Sequence, residues 1–363
     1  MVTMLLWLGE LTIASWILSY GAEHLSMKYG AKFVGRTILS IATTLPEIAI
    51  VVYAAAEGSY GIAIGAGLGS NLLMMTLGLA LMLLIATTRL SKAPLKGVDV
   101  STFKLDKIFL IITAVVSAAL FIDGYNYFDG FIFAGMFIVY LGLAVYEMKS
   151  EKAKKMSYLD IQEKKGEGIV DHNLIEVKDH QHLPSKPCDR RILKASLAFA
   201  AGTIGILLGA EPFIHSLKGY SMEVGVSAVV LAVIISPIAG EMPEKISLML
   251  LARKGAVGAS IAVANVLGSK ILNNTLLLAV AVFGAMYHGG FYSVIQANTL
   301  LKYQMILVTV VTIIALIPMF KKEIGLKVGI MLAAMYIVSL IIQFLLPHDV
   351  QSIVNHSFII HNS

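Results

Sequence analysis

The chain has 363 residues, of which 57% are hydrophobic and only 14% are charged. Globular domains typically carry about 25% charged residues, so a soluble domain could not bury this much apolar surface. The net charge of +5 does not indicate a nucleic-acid partner, because the basic residues lie between apolar runs, where membrane topology explains them better. These runs are about 17 to 25 residues long, enough for a helix to span a hydrocarbon core of about 30 Å. We therefore expect an all-α, multi-pass integral membrane protein.

The hydropathy pattern predicts ten membrane-spanning helices, five on each side of a polar segment. The predicted spans cover approximately residues 3–20, 33–56, 60–88, 106–122, 128–147, 192–211, 223–251, 256–284, 303–320 and 326–346. The chain then divides into a first five-helix repeat (1–148), a cytoplasmic linker (149–191), a second five-helix repeat (192–346) and a C-terminal tail (347–363).

The distribution of lysine and arginine predicts the orientation, because basic residues near span ends are retained on the cytoplasmic side. Basic loops alternate with loops that have almost no Lys or Arg. One side holds the central linker and Lys28, Lys32, Arg89, Lys92, Lys96, Lys104, Lys107, Arg253, Lys254, Lys321, Lys322 and Lys327. Both termini are then predicted to be extracytoplasmic, and we expect the protein in the plasma (cell) membrane.

Three short motifs occur in both halves in the same order. Gly-Ala-Glu at 21–23 recurs at 209–211, near the predicted ends of the first and sixth helices. Leu-Pro-Glu at 45–47 recurs as Met-Pro-Glu at 242–244, and Gly-Leu-Gly-Ser-Asn at 67–71 recurs as Val-Leu-Gly-Ser-Lys at 266–270. Five helices per half make the second half enter the membrane from the opposite face. These features predict an inverted repeat.

Glu47 and Glu244 lie in the middle of apolar spans, where a carboxylate costs about 2.5 to 3.5 kcal/mol. Such a group normally faces the bundle interior and meets a partner or an ion. Each glutamate follows a proline, which we expect to free a backbone carbonyl and to break the helix. Thr43 and Thr44 share the helix face of Glu47 and add hydroxyl oxygens. Oxygen ligands of this kind suit Ca²⁺, while two buried protonated acids are the structural alternative.

These motifs resemble the cation/calcium exchanger superfamily. The family's first alpha-repeat is similar to Phe-Val-Gly-Arg-Thr at 33–37 with Ala-Thr-Thr-Leu-Pro-Glu at 42–47, followed by the motif at 67–71. The second copy of the repeat lies at 237–244 and 267–270. The resemblance implies two inverted five-helix repeats, with Glu47 and Glu244 as ligands of a central calcium site. It also implies that Thr43, Thr44, Ser70 and Ser269 match ion-binding positions of sodium-coupled members. The candidate cation-binding set is completed by Gly240, Asn71 and Asn273.

The second repeat departs from the family pattern at two charged positions. Gly240-Glu241 stands where the family usually has Thr-Ser, and Lys270 stands where Asn follows Gly-Ser. We hypothesise that Lys270 forms an ion pair with Glu241 and occupies a place where relatives hold a transported monovalent cation. Glu47 and Glu244 would then match the charge of a divalent cation. The plainer interpretation places Lys270 at a helix end, where it extends to the membrane interface.

The sequence predicts a secondary antiporter that exchanges Ca²⁺ or a similar divalent cation for H⁺. The run Pro-Ile-x-Gly-x-x-x-Glu at 237–244 resembles the proton-coupled branch, and Na⁺ is the alternative counter-ion. The expected partners are inorganic cations and the lipid bilayer, without a cofactor; protein partners are not indicated. The spans contain no P-loop, His-Glu-x-x-His or Gly-x-Ser-x-Gly motif, which argues against an ATPase or a membrane-embedded hydrolase and against an enzyme in general. A channel remains a further alternative.

Overall fold

The computed structural model describes residues 1–26, 40–165 and 189–346 and is helical almost throughout. The helices of the first half are α1 (Val2–Ser26), α2 (Ser40–Thr43), α3 (Leu45–Ala56), α4 (Tyr60–Leu73), α5 (Leu79–Thr87), α6 (Lys104–Leu120) and α7 (Tyr127–Lys165). Those of the second half are α8 (Asp189–Val224), α9 (Ala228–Ala252), α10 (Ala256–Leu272), α11 (Leu278–Gly289), α12 (Thr299–Leu316) and α13 (Leu326–Leu345). Two short strands, β1 (Val98–Asp99) and β2 (Glu323–Ile324), pair antiparallel.

The fold is that of a multi-pass membrane protein. In the described parts of the chain, seven helical stretches are long and apolar enough to cross a membrane: Val2–Gly21, Tyr60–Thr87, Tyr127–Glu147, Ile192–Val224, Ala256–Gly289, Thr299–Phe320 and Leu326–Leu345. Leu45–Ala56 and Ala228–Met242 are apolar but shorter. The all-helical membrane class is confirmed, whereas the count of ten spans and the inverted arrangement stay predictions.

Helices α1 and α8 pack along each other in opposite directions. Glycines permit the close approach, because a Cβ on Gly202 would lie 2.5 Å from the amide nitrogen of Leu18, and a Cβ on Gly21 would lie 2.5 Å from that of Phe199. At one end the terminal ammonium of Met1 lies 2.9 Å from Glu223. Large apolar side chains on the outer faces of both helices are exposed, as is expected for surfaces that contact lipid.

One helix end predicted from the sequence is wrong. The sixth helix does not end near Glu211, because α8 continues to Val224, where Gly225 with a φ of +65° follows. Pro212 lies inside this helix: a proline removes one backbone hydrogen bond, and the apolar residues that follow it keep packing as a helix. The predicted fifth span, 128–147, agrees with the apolar stretch Tyr127–Glu147, and α7 continues beyond it to Lys165, so that residues 149–165 of the predicted linker are helical.

The described basic loops, around residues 89–107, 253–254 and 321–327, come together at one end of the helices. The amide of Lys92 donates to the carbonyl of Arg253 at 3.1 Å, and that of Val100 donates to the carbonyl of Lys322 at 2.9 Å. The β1–β2 pair joins the same two regions. Buried Lys107 fastens this end, since its Nζ donates to the carbonyls of Val100 (2.8 Å) and Met319 (2.7 Å). Which face of the membrane this end occupies stays a prediction from the charge bias.

Candidate functional site

Glu47 lies just after a break between two helices. α2 ends at Thr43 and α3 begins at Leu45, with Pro46 in its first turn. Because Pro46 has no N–H, it cannot donate to the carbonyl of Ala42, and the regular hydrogen-bond series is interrupted there. The predicted helix break is therefore present in the first half, and it places buried Glu47 in the first turn of α3.

The matching helix of the second half is not broken. α9 runs from Ala228 to Ala252 and passes through Pro237 and position 243. The predicted break at this place is wrong, because the remaining backbone hydrogen bonds and close packing hold a membrane helix together across a proline. Glu241 and Glu244 therefore lie three residues apart on one continuous helix, and both are buried.

The carboxylate of Glu47 lies against the backbone of Gly240. A Cβ at position 240 would lie 2.6 Å from the carboxyl carbon of Glu47 and would overlap one of its oxygens, so the absence of a side chain makes this room. Both carboxylate oxygens of Glu47 are buried, and neither has a hydrogen-bond partner among the described residues. A carboxylate in this state is costly unless it carries a proton or binds a cation.

Lys270 lies in the interior and contacts Glu241. Its Nζ contacts Oε1 of Glu241, donates to Oγ of Ser70 at 2.8 Å, and lies 3.5 Å from the carbonyl oxygen of Ser70. The Ser70 hydroxyl also contacts Glu241 and accepts from Nδ2 of Asn273 at 2.9 Å. Both ends of the Lys270–Glu241 pair are only 1% exposed. The ammonium therefore lies among oxygens from both halves of the chain and does not extend to an interface.

Glu244 is held by two polar side chains of α10. Nδ2 of Asn265 donates to Oε1 of Glu244 at 2.6 Å, and the hydroxyl of Ser269 donates to the same oxygen at 3.3 Å. Asn265 and Ser269 are four residues apart and thus share a helix face. The amide oxygen of Asn265 in turn accepts from the hydroxyl of Ser40 at 3.2 Å, which connects this group to α2.

The remaining predicted residues are divided between the site and the local backbone. Nδ2 of Asn71 donates to Oδ1 of Asn274 at 2.5 Å, across the two halves. Oδ1 of Asn71 and Oδ1 of Asn273 are buried and have no partner within the described part of the chain. The hydroxyls of Thr43 and Thr44 instead donate to the carbonyl of Ser40, at 3.3 and 2.7 Å. Their bonds hold the turn before Glu47 in shape.

Each half has a π-helical turn about one helical turn after its motif serine. These turns cover Met74–Gly78 and Asn273–Leu277, and each begins four residues after the serine of its motif. In both, a buried threonine donates its hydroxyl to the carbonyl four residues earlier: Thr76 to Leu72, and Thr275 to Ile271 at 2.6 Å. π-Helical turns are frequent at functional sites. In the second half the turn carries Asn273 towards Ser70.

Four buried polar residues that contribute to the site were not predicted: Ser40, Lys245, Asn265 and Asn274. Asn265 could have been found by its position one turn before Ser269. Lys245 has the larger consequence, since it is 5% exposed and interacts electrostatically with Glu47, Glu241 and Glu244. The site has a formal charge of −1 when its three carboxylates (Glu47, Glu241 and Glu244) and its two ammonium groups (Lys245 and Lys270) are all ionised. The two uncompensated acids that the sequence predicted are therefore partly balanced by a second lysine.

The site thus offers several buried oxygens that lack a donor. They are both oxygens of Glu47, Oε2 of Glu241, Oδ1 of Asn71 and Oδ1 of Asn273, as far as the described residues extend. Carboxylate and amide oxygens in a protected interior are the ligands that hard cations such as Ca²⁺ prefer. A carboxylate there can also carry a proton. The arrangement is suited to binding cations and protons within the membrane.

Comparison with known proteins agrees with this chemistry. The family described as sodium/calcium exchanger protein matches residues 1–146 and 194–345. An uncharacterized membrane protein of Methanocaldococcus jannaschii is 24% identical over 322 residues, which cover 88% of this chain and 90% of that protein.

Two kinds of solved exchanger share the fold. The H⁺/Ca²⁺ exchanger CAX superimposes with a TM-score of 0.72 at 21% identity, covering 99% of this chain and 85% of that one. The sodium-calcium exchanger NCX_Mj superimposes with a TM-score of 0.59 at 22% identity, covering 93% and 96%. At these identities the structures show the common fold, and the family match extends over both halves of the chain. The chain belongs to the sodium/calcium exchanger family of membrane cation antiporters.

Proposed function

We propose that this protein is a secondary active antiporter that exchanges Ca²⁺, or a similar divalent cation, for H⁺ by alternating access. The observation that carries the proposal is the carboxylate of Glu47, buried against Gly240 with neither oxygen in a hydrogen bond to a described residue. Such a group needs a bound cation or a proton. A site that is stable only when one or the other occupies it is what an exchanger requires.

Glu47 and Glu244 are the proposed carboxylate ligands of the divalent cation. Glu244 is oriented by Asn265 and Ser269, and Glu47 is positioned by the helix break and by Gly240. Ca²⁺ takes six to eight oxygens in a flexible shell, and the free amide oxygens of Asn71 and Asn273 are further candidates. These groups come from both halves of the chain, as a site between two repeats requires.

The proposal of H⁺ as the counter-ion rests on Lys270. Its ammonium lies among the oxygens of Ser70 and Glu241, where a small monovalent cation would otherwise find ligands. A fixed positive charge at this place disfavours Na⁺ close by. The unpartnered oxygens of Glu47 can accept a proton in its place.

Na⁺ is the second candidate counter-ion, because the site contains oxygens that could bind it. The free oxygens of Asn71 and Asn273 are amide oxygens, which bind a metal cation but do not take up a proton at neutral pH. A site that served protons alone would have no need of them. They are equally suited to the divalent cation, so the choice depends on a transport measurement.

The test is uptake of radiolabelled Ca²⁺ into sealed proteoliposomes under an outward H⁺ gradient or an outward Na⁺ gradient. Uptake driven by the H⁺ gradient alone supports the proposal, and uptake driven by Na⁺ alone assigns the second candidate. The Glu47→Gln variant should transport nothing, while Glu223→Gln, which removes an exposed carboxylate far along α8, should behave as wild type. Uptake with no gradient dependence would contradict both candidates, and it would indicate a uniporter if it saturates with Ca²⁺ or a channel if it does not.

A further inference from the structure

A second group of metal-binding side chains lies outside the site described above, where the end of α3 meets α8. Nε2 of His215 lies 3.0 Å from Oε1 of Glu57 and 3.9 Å from Oε1 of Glu211. These three ligand atoms all lie within 4.8 Å of one another. Glu57 is partly buried, and the other two side chains are more than half exposed.

The helices hold these side chains in place. Glu211 and His215 are four residues apart in α8, so they project from the same helix face, as paired metal ligands on a helix do. Glu57 follows the last residue of α3, and its amide donates to the carbonyl of Tyr53 at 3.1 Å. The next residue, Gly58, has a φ of +73°, a conformation that directs the chain away from the helix. Glu57 therefore lies at the C-terminal end of α3, and Glu211 and His215 lie within α8.

Lys218 orients Glu57 and leaves the other carboxylate oxygen of Glu57 available. Its Nζ lies 2.7 Å from Oε2 of Glu57, whereas His215 faces Oε1. A hydrogen-bond donor on the outer oxygen of a carboxylate ligand is a common arrangement around metal sites. His288 lies beside Gly58 and places its Nδ1 2.9 Å from the carbonyl of Ala56.

We propose that Glu57, Glu211 and His215 form a site for Zn²⁺ or a similar divalent transition metal. Ligands about 2.0 to 2.1 Å from a tetrahedral Zn²⁺ lie about 3.3 Å from one another, and the observed separations of 3.0 and 3.9 Å lie on either side of this value. One imidazole with two carboxylates favours Zn²⁺ over Ca²⁺ or Mg²⁺, which prefer oxygen ligands alone. The exposure of His215 leaves room for water as the fourth ligand.

The metal would join α3 to α8. α3 carries Glu47 ten residues before Glu57, and α8 packs on α1. A bound ion that fastens these helices would oppose any relative movement that transport requires, and Zn²⁺ would inhibit exchange. This consequence rests on the proposed function; the binding of the metal does not.

Binding is tested on the untagged full-length protein in detergent, treated with chelator and then titrated with Zn²⁺ by calorimetry and with Co²⁺ by visible absorption. We expect one site per chain and a tetrahedral Co²⁺ spectrum. His215→Ala and Glu211→Gln should each weaken the affinity at least about tenfold, and Glu223→Gln should not change it. The linker also contains His172, His180 and His182, which lie outside the described residues, so the comparison between variants decides.

Equal affinity in wild type and His215→Ala would overturn the proposal, as would an octahedral Co²⁺ spectrum or a binding loss of the same size in Glu223→Gln. Transport is measured separately, with Zn²⁺ added to either side of the proteoliposomes. Inhibition of the wild type but not of His215→Ala supports the restraint of α3 on α8. If Ca²⁺ exchange is absent altogether, the proposed function fails, and the metal site is still tested by the titrations.

Discussion

The substitution Lys270→Met tests the buried ion pair most directly. It removes the ammonium that contacts Oε1 of Glu241 and donates to Ser70 at 2.8 Å, while it keeps a side chain of similar length. Both members of the pair are 1% exposed, so the carboxylate cannot turn to solvent. Breaking a buried pair by removing one partner costs about 3 to 5 kcal/mol, because the other charge is left uncompensated. Glu241→Gln should have a similar cost, because it leaves the positive charge of Lys270 uncompensated.

The double variant separates the pair from the surrounding packing. When both charges are absent, no buried charge is left without its partner, so Lys270→Met with Glu241→Gln should be more stable than either single variant. Thermal unfolding of the purified protein in detergent measures this, with Lys302→Met as the control because Lys302 is exposed. If the ammonium of Lys270 occupies a cation-binding position, Na⁺ should bind there when the ammonium is removed. Na⁺ should then raise the melting temperature of Lys270→Met but not that of the wild type.

Two results would refute this reasoning. Strictly additive losses in the double variant would mean that the charges do not act as a pair. Wild-type stability of Lys270→Met, in the presence and absence of Na⁺, would mean that Glu241 does not need the ammonium. In transport, Lys270→Met should become sensitive to an outward Na⁺ gradient, and an unchanged ion dependence would remove Lys270 from the argument for H⁺.

Four further variants test other parts of the structure. Glu47→Gln and Glu244→Gln should each lower Ca²⁺ uptake to background while the protein still elutes as a folded species; uptake within twofold of wild type would contradict their role as ligands. Gly240→Ala should raise the half-saturating Ca²⁺ concentration about tenfold, because overpacking against Glu47 costs about 1 to 3 kcal/mol, and an unchanged value would mean that the carboxylate has other room. Lys107→Met should lower the melting temperature without changing the half-saturating Ca²⁺ concentration, because two buried carbonyls lose their donor.

The membrane class and the family could be predicted because each rests on a strong local signal. A carboxylate inside an apolar span is costly enough that it is retained for a reason, and this points to Glu47 and Glu244 from their positions alone. The same argument applies to Lys270, since an ammonium in the interior requires an acid within reach. Glu241, three residues before Glu244 on the same helix, is an acid that the structure places in contact with it.

Contacts between the halves could not be predicted from spacing along one helix. The bonds from Asn71 to Asn274 and from Asn273 to Ser70 join residues more than 200 positions apart, and they depend on how α4 packs against the π-helical turn Asn273–Leu277. Helix boundaries were uncertain for a different reason. A proline after Glu211 has the same local preference whether it ends a helix or lies within one, and packing in the membrane decides.

Lys245 changes the charge that the site presents to a cation, so its removal should change how strongly the site binds Ca²⁺. With three carboxylates and two lysines ionised, the formal charge of −1 becomes +1 when a divalent cation binds and zero when one proton binds. The ammonium of Lys245 repels a bound divalent cation, and the repulsion is stronger at an effective dielectric constant of about 20 than in bulk water. About 1.4 kcal/mol of such repulsion corresponds to a tenfold change in affinity. Lys245→Met should therefore increase the apparent affinity for Ca²⁺ about tenfold. It should also slow Ca²⁺ release, which can be measured as efflux from preloaded proteoliposomes. An affinity equal to that of the wild type would show that Lys245 does not act on the bound ion.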